Sequence, residues 1–218
     1  MSPYKHSFIE LALDANALTF GEFTLKSGRV SPYFFNASLF SSGRQLKIIG
    51  ECYQKAIEDN GIQFDGLFGP AYKGIPLATS VAVAFADQGF DFPLSFNRKE
   101  IKDHGEGGLL LGARLNGRIL AIDDVATAGT AIRESVDFVS SQGGVLTAFC
   151  VALDRQERGK ESEQSALSEL AKKFPLTAEF PIQYKDSLFG DAPHIEPVTF
   201  GSEESEFSKG ATIKVAVI

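Results

Sequence analysis

One stretch constrains the fold of this chain more than any other: residues 118–132, with the sequence RILAIDDVATAGTAI. It begins with four apolar residues, 119–122, a pattern typical of a strand buried on both faces of a parallel sheet. Asp123 and Asp124 follow at the carboxyl end of the strand, then a turn of small residues, and then the first turn of a helix. This order predicts a ligand-binding edge of an α/β sheet.

The same stretch suits a ribose phosphate as ligand. The N–H groups of the turn and the helix N-terminus favour an anion. Thr127 and Thr130 add hydroxyl donors, and Gly129 lets the backbone come close to a ligand. Asp123 and Asp124 would repel a phosphate, so we expect them to accept hydrogen bonds from sugar hydroxyls and to help order a hydrated divalent cation. The alternative interpretation is that the two acids only end a strand and cap a helix.

Composition narrows the class of protein. A chain of 218 residues that is 44% hydrophobic can form one sizeable core. A net charge of −7 argues against a general nucleic-acid binder, which would need a basic face. No stretch approaches the ~20 apolar residues of a membrane helix, and the N-terminus does not resemble a signal peptide. We therefore expect a cytoplasmic protein in which Cys52 and Cys150 are buried free thiols.

Strands and helices alternate along the chain with short loops, which predicts a right-handed parallel α/β sheet. The predicted helices are residues 4–18, 43–60, 75–88, 130–142 and 162–173. The predicted strands are short pieces within 20–36, then 64–69, 92–97, 118–122 and 145–153, with possible strands at 176–182 and, at an edge of the sheet, 213–217. Helix 43–60 presents Leu46, Ile49, Tyr53 and Ile57 on one face, which we assign to the core.

Basic residues follow several of these strands. Lys73 lies in the loop 70–74, and Arg155 follows the strand 145–153, so both are expected at the carboxyl edge of the sheet. Residues 98–108 alternate bases and acids with few apolar side chains and predict a mobile arm. The alternatives are a simple connecting turn for 70–74 and a solvated face for the arm. Lys26, beside Ser27 and Gly28, has no distinctive surroundings by itself.

Seven motifs occur in one order and spacing that resembles the bacterial-type orotate phosphoribosyltransferases, a branch of the type I phosphoribosyltransferases. They are GEFTLKSGR, SPYFFNA, LFGPAYKGIP, FNRKE, KDHGEGG, IDDVATAGTAIRES and LDRQERG. The resemblance implies one domain over residues 1–218, with a central parallel sheet flanked by helices. It also implies a small N-terminal hood formed by about residues 1–40 with parts of the C-terminal region. The chain departs from the family pattern after about residue 160, and residues 201–218 form an atypical tail.

The resemblance also implies an activity. Members transfer the phosphoribosyl group of 5-phosphoribosyl 1-diphosphate (PRPP) to orotate and release diphosphate. They use Mg²⁺, which PRPP mainly carries, without a dedicated protein metal site, and they act as homodimers with shared active sites. The first alternative is a purine phosphoribosyltransferase. The second, a regulator that binds PRPP without reacting, would need a basic DNA-binding appendage that this acidic chain lacks.

Site residues carried over from the family form three groups. Those implied to contact PRPP and its diphosphate are Tyr72, Lys73, Arg98, Lys99, Lys102 and His104. Those implied to hold the 5′-phosphate and ribose are Asp123, Asp124, Val125, Ala126, Thr127, Ala128, Gly129, Thr130 and Ala131. Those implied to bracket orotate are Lys26, Phe34, Phe35, Thr127 and Arg155. Lys102 and Asp124 are the expected catalytic residues, and the arm is expected to close over the bound substrates.

Overall fold

The computed structural model describes residues 2–25, 28, 30–102, 108–126, 130–154, 176–178 and 213–217, of which 101, 102, 126, 176–178 and 213–217 are described by their backbone alone. The helices are α1 (Pro3–Asp14), α2 (Gly43–Asp59), α3 (Gly74–Asp87) and α4 (Thr130–Ser141), with a 3₁₀ turn at Ala37–Leu39. The strands are β1 (Leu18–Thr24), β2 (Val30–Phe35), β3 (Gly66–Gly69), β4 (Leu94–Lys102), β5 (Gly108–Gly112), β6 (Arg118–Ala126), β7 (Val145–Asp154), β8 (Leu176–Ala178) and β9 (Ile213–Val217). The predicted helix 162–173 lies outside the described residues.

Seven strands form one sheet in the order β5-β4-β3-β6-β7-β9-β8. All neighbours in this sheet run parallel except β5, which is antiparallel to β4. β6 lies in the middle, where Leu120 pairs with Leu67 of β3 and Asp123 pairs with Val151 of β7. The predicted central α/β sheet is therefore confirmed, with one antiparallel strand at its edge.

Side chains of β6 alternate between two cores, one on each face of the sheet. Leu120 and Ile122 lie in the larger core, which α1, α2 and α3 cover. Ile119 and Ala121 lie in the smaller core, beneath α4. All four side chains are at most 1% exposed, which explains why this strand is apolar on both faces. Cys52 and Cys150 are free thiols in the larger core.

The N-terminal residues form a separate antiparallel hairpin, in which Leu18 of β1 pairs with Phe35 of β2. Phe35 anchors the hairpin to the core, because its ring centroid lies 6.2 Å from those of Phe8 and Phe40. Helix α2 then begins with a capping box, in which Ser42 and Gln45 exchange side-chain and backbone hydrogen bonds. The predicted short strands of the hood are confirmed.

Three predictions about the elements were wrong. Residues 98–102 belong to strand β4, and Lys102 pairs with Gly108 of β5 after a break in the register, so the predicted strand 92–97 is five residues too short. Strand β9 lies between β7 and β8 rather than at an edge. Helix α1 ends at Asp14 because Asn16 adopts a positive φ of 53° and β1 begins at Leu18. Among the described residues, no helix combines the length and apolar character needed to span a bilayer.

Candidate active site

Polar side chains from separate parts of the chain meet at the carboxyl edge of the sheet, where β3, β4 and β6 end. The closest contact joins Lys73, in the loop after β3, to Asp124 on β6: Lys73 Nζ lies 2.7 Å from Asp124 Oδ2. The Asp124 side chain is 11% exposed, whereas that of Lys73 is 46% exposed. A nearly buried carboxylate is thus neutralised by an ammonium group that solvent or a ligand can reach.

The Asp123 side chain is half-buried beside that of Asp124. Burial is the main reason why the pKa of its carboxyl is raised above the usual range, and the negative charge of Asp124 adds to the effect. The Lys73 ammonium opposes this rise. In the window between the ordinary carboxyl pKa and the raised value, the folded protein holds a proton that the unfolded chain has lost. Folding stability therefore falls as pH rises through this window.

Two hydrogen bonds fix the backbone between the two acids. The Asp124 N–H donates to Asp123 Oδ1 over 2.8 Å. On the same peptide unit, the Asp123 carbonyl oxygen accepts a 2.7 Å hydrogen bond from the hydroxyl of Tyr53 on α2. Carboxylates held in this way can accept hydrogen bonds from vicinal hydroxyls of a sugar, which is the role that the sequence predicts for them.

The loop 70–74 packs tightly against the end of β6. A Cβ atom at position 74 would lie 2.6 Å from Pro70 Cδ and 2.7 Å from the Ile122 carbonyl oxygen, so the close approach requires glycine. The Ala71–Tyr72 peptide bond is cis. The Ala71 N–H donates a 2.7 Å hydrogen bond to Asn97 Oδ1 on β4. Through these contacts the loop that carries Lys73 is tied to two strands.

A second basic side chain beside this loop is that of Lys99 on β4. Lys99 Nζ lies 5.1 Å from the ring centroid of Tyr72, a distance at which a cation and an aromatic face attract each other. Tyr72 is 67% exposed, so this pair borders solvent. Arg98 precedes Lys99 in the sequence, and Arg98 Nη1 is 3.5 Å from the Gly108 carbonyl oxygen of β5. Positive charge thus lines the strand that leads into residues 103–107.

The structure separates the two phenylalanines that the family resemblance assigns to orotate. Phe34 is 41% exposed and lies beside Phe23, with the ring centroids 5.6 Å apart. Phe35 is 5% exposed and packs in the core against Phe8 and Phe40. The structure does not support a direct contact between Phe35 and a substrate, because successive residues of a strand point to opposite faces.

The remaining predicted site residues fall into two groups. Val125 is half-buried against the larger core, Thr130 is exposed at the start of α4, and Ala131 is half-buried against the smaller core. Outside the described residues lie Lys26, His104, Thr127, Ala128, Gly129 and Arg155, together with the side chains of Lys102 and Ala126. Their predicted roles stay predictions.

Two residues at this edge were not predicted as part of the site, Tyr53 and Asn97. The sequence places Tyr53 on an apolar helix face and Asn97 at a strand end, where both are interpreted as structural. A hydroxyl on an otherwise apolar face is the one sequence feature that could have pointed to Tyr53, because a buried hydroxyl needs a partner.

The donor set fits a Mg²⁺ ion that arrives with its substrate. In the described part of the chain, no three acidic, histidine or cysteine side chains cluster as metal ligands. Mg²⁺ commonly keeps several waters and binds through one or two carboxylates together with substrate phosphates. Asp123 and Asp124 can supply these one or two carboxylate ligands, directly or through water.

Comparisons with known proteins show which proteins this chain is similar to. A family model of the phosphoribosyl transferase domain matches residues 37–186. The chain is 56% identical to the orotate phosphoribosyltransferase of Salmonella arizonae and 54% identical to that of Escherichia coli, over 86% of this chain and 88% of each relative. The crystal structure of orotate phosphoribosyltransferase from Francisella tularensis superposes with a TM-score of 0.69 at 43% identity, covering 78% of this chain and 81% of that one.

Proposed function

This chain belongs to the orotate phosphoribosyltransferase family within the phosphoribosyl transferase domains, and from that membership we infer the reaction that it catalyses. It transfers the phosphoribosyl group of PRPP to orotate, which gives orotidine 5′-phosphate and diphosphate in pyrimidine biosynthesis. The observation that carries the inference is 54–56% identity to named orotate phosphoribosyltransferases over most of both chains. That identity favours orotate over the purine bases as acceptor.

The geometry supports a role for the acidic pair at the ribose. Breaking the glycosidic C–O bond of PRPP leaves positive charge on the ribose ring. Asp123 and Asp124 lie together at the end of β6, where negative charge close to the ring favours that transition state. Their oxygen atoms also accept hydrogen bonds from the ribose hydroxyls, which fixes the ring for attack by orotate.

The basic groups act on the leaving diphosphate. Lys73 is half-exposed, so its ammonium can turn from Asp124 to a diphosphate oxygen when PRPP binds. Lys99 borders the same loop beside Tyr72. Lys102 and His104 follow in sequence and complete the cationic set. No covalent nucleophile takes part, since positioning and charge stabilisation suffice for this displacement.

Mg²⁺ bound to PRPP would supply positive charge that offsets the charge developing on the diphosphate. Asp123 and Asp124 would hold it directly or through water, together with PRPP. One domain over residues 1–218 and a homodimer with shared active sites follow from the family resemblance and stay proposals. The cytoplasmic location predicted from the sequence stays a prediction.

A spectrophotometric assay tests the proposed function. The absorbance of orotate is followed with PRPP and Mg²⁺ present, and adenine and hypoxanthine are offered in parallel. Loss of orotate that depends on PRPP, with no reaction of either purine, is the expected result. Turnover of a purine alone would favour the purine enzyme instead. Binding of PRPP without turnover of any base would indicate a regulator.

A further inference from the structure

Tyr53 carries a polar group into the centre of the larger core. The side chain is 0% exposed and lies on α2, where the buried neighbours on its face include Ile49 and Ile57. A hydroxyl buried among apolar groups is unfavourable unless it finds a hydrogen-bond partner. Its partner is the carbonyl oxygen of Asp123, at 2.7 Å.

That carbonyl belongs to the peptide unit that joins the two acids of the site. The N–H of the same unit, which is that of Asp124, donates to Asp123 Oδ1 at 2.8 Å. One hydrogen bond therefore holds each end of the peptide plane. The orientation of this plane sets the direction in which the Asp124 side chain leaves the backbone.

The sheet itself gives this peptide less support than the rest of β6 receives. The pairing of β3 with β6 ends where Phe68 meets Ala121, and β3 itself ends at Gly69. Strand β6 continues to Ala126. Past Ala121, no described strand pairs with this side of β6, and Tyr53 supplies a donor from α2 at this point.

The hydroxyl keeps its proton under working conditions. The ordinary pKa of a phenol, about 10, keeps the hydroxyl protonated near neutral pH. The phenol is thus a lasting hydrogen-bond donor. No part of its side chain reaches solvent, so it cannot touch a substrate.

We propose that Tyr53 is a positioning residue of the active site, whose hydroxyl fixes the Asp123–Asp124 peptide so that both carboxylates face the ribose of PRPP. The proposal rests on the proposed function, since it assigns the ribose to these two acids. It concerns binding and orientation of PRPP, whereas orotate should be affected little.

The central variant is Tyr53→Phe, which removes the hydroxyl and keeps the ring. The expected result is a roughly three- to tenfold loss in kcat/KM for PRPP, the range expected for one hydrogen bond. The dissociation constant of Mg²⁺·PRPP from calorimetry should rise by a similar factor, and KM for orotate should stay within about twofold. Hydrogen exchange at the Asp124 amide should become faster.

Two controls separate positioning from general destabilisation. Tyr4→Phe removes a hydroxyl from a half-buried ring that packs against the same core. Ile57→Val loosens the buried face of α2 without removing a polar group. Whatever their effect on the melting temperature, both variants should have the kinetic constants of the unchanged protein per folded site.

Two replacements by non-natural residues keep the test decisive if Tyr53→Phe does not fold. At position 53, 4-fluorophenylalanine fills the space of the hydroxyl but cannot donate, whereas 4-aminophenylalanine restores a donor. PRPP binding should weaken with the fluoro residue and recover with the amino residue. Equal PRPP binding in both, or in Tyr53→Phe and the unchanged protein, would overturn the inference. Lack of orotate turnover in the unchanged protein would instead overturn the proposed function, and calorimetry with PRPP would still decide the role of Tyr53.

Discussion

Replacing Lys73 by a neutral residue should lower both the stability of the folded protein and the rate of the reaction. In Lys73→Met the aliphatic stem is kept and the charge is lost, so Asp124 remains 11% exposed without its cation. Removing one partner of a fully buried ion pair costs about 3–5 kcal/mol. The Lys73 side chain is 46% exposed, so water screens this pair. We therefore expect a smaller cost, about 1–2 kcal/mol of unfolding free energy.

Urea denaturation of a double-mutant cycle measures this value at neutral pH. The cycle consists of the unchanged protein, Lys73→Met, Asp124→Asn and the double variant. Asp124→Asn removes the charge that needs neutralising, so the double variant should be more stable than the sum of the single effects predicts. The difference is the coupling free energy, and it should be about 1–2 kcal/mol.

An exposed pair on α2 provides the matched control. Lys47 Nζ lies 3.7 Å from Glu51 Oε1, and the two side chains are 68% and 52% exposed. The cycle of Lys47→Met and Glu51→Gln should give about 0.3–0.5 kcal/mol. If the cycle of Lys73 and Asp124 gave no more than this control, the contact would be a surface pair and the reasoning about a buried carboxylate would be refuted.

Three further predictions concern the same edge of the sheet. Asp123→Asn should raise the free energy of unfolding at pH 8 and weaken its fall between about pH 4 and 7, measured in urea, because the amide has no charge to bury; an unchanged slope would contradict the raised pKa. Asn97→Ala should weaken PRPP binding roughly three- to tenfold in calorimetry by freeing the loop 70–74, whereas Asn60→Ala, which removes a side-chain bond at the end of α2, should not. Lys102→Ala should lower turnover far more than melting temperature. Mixing it with inactive Asp123→Ala protein should restore activity in hybrid dimers, and no recovery after confirmed subunit exchange would place both residues of a site on one chain.

The sequence predicted the middle of the sheet well, because burial on both faces leaves a direct record in the choice of residues. The apolar run 119–122 shows this, and the two acids after it predict the edge at which we propose that ligands bind. The order of the strands in the sheet is not visible in the residues of each strand. The apolar run 213–217 predicts a strand, but its position between β7 and β8 depends on which neighbour it pairs with. Likewise β5 was missed, since backbone pairing with β4 orders a segment whose side chains give no periodic pattern.

The sequence also could not predict contacts between residues that lie far apart in the chain. Tyr53 and Asp123 are 70 residues apart, and Ala71 and Asn97 are 26 apart. Each of these residues has an ordinary structural interpretation in its own neighbourhood. Phe34 and Phe35 illustrate a related limit, because the pair was assigned together although the strand sends one ring to the core and the other towards solvent.

These distant contacts explain how a site without a nucleophile can be effective. When catalysis depends on positioning, errors in the direction of a charge reduce its value steeply. The Lys73 loop is held by Asn97 of β4, and the acidic peptide is held by Tyr53 of α2. The ion pair between Lys73 and Asp124 then joins the loop to the strand. Because each anchor belongs to a helix or strand of the core, the loop and the acidic peptide are positioned before PRPP arrives, and in the proposed mechanism the Lys73 ammonium then turns from Asp124 to the diphosphate.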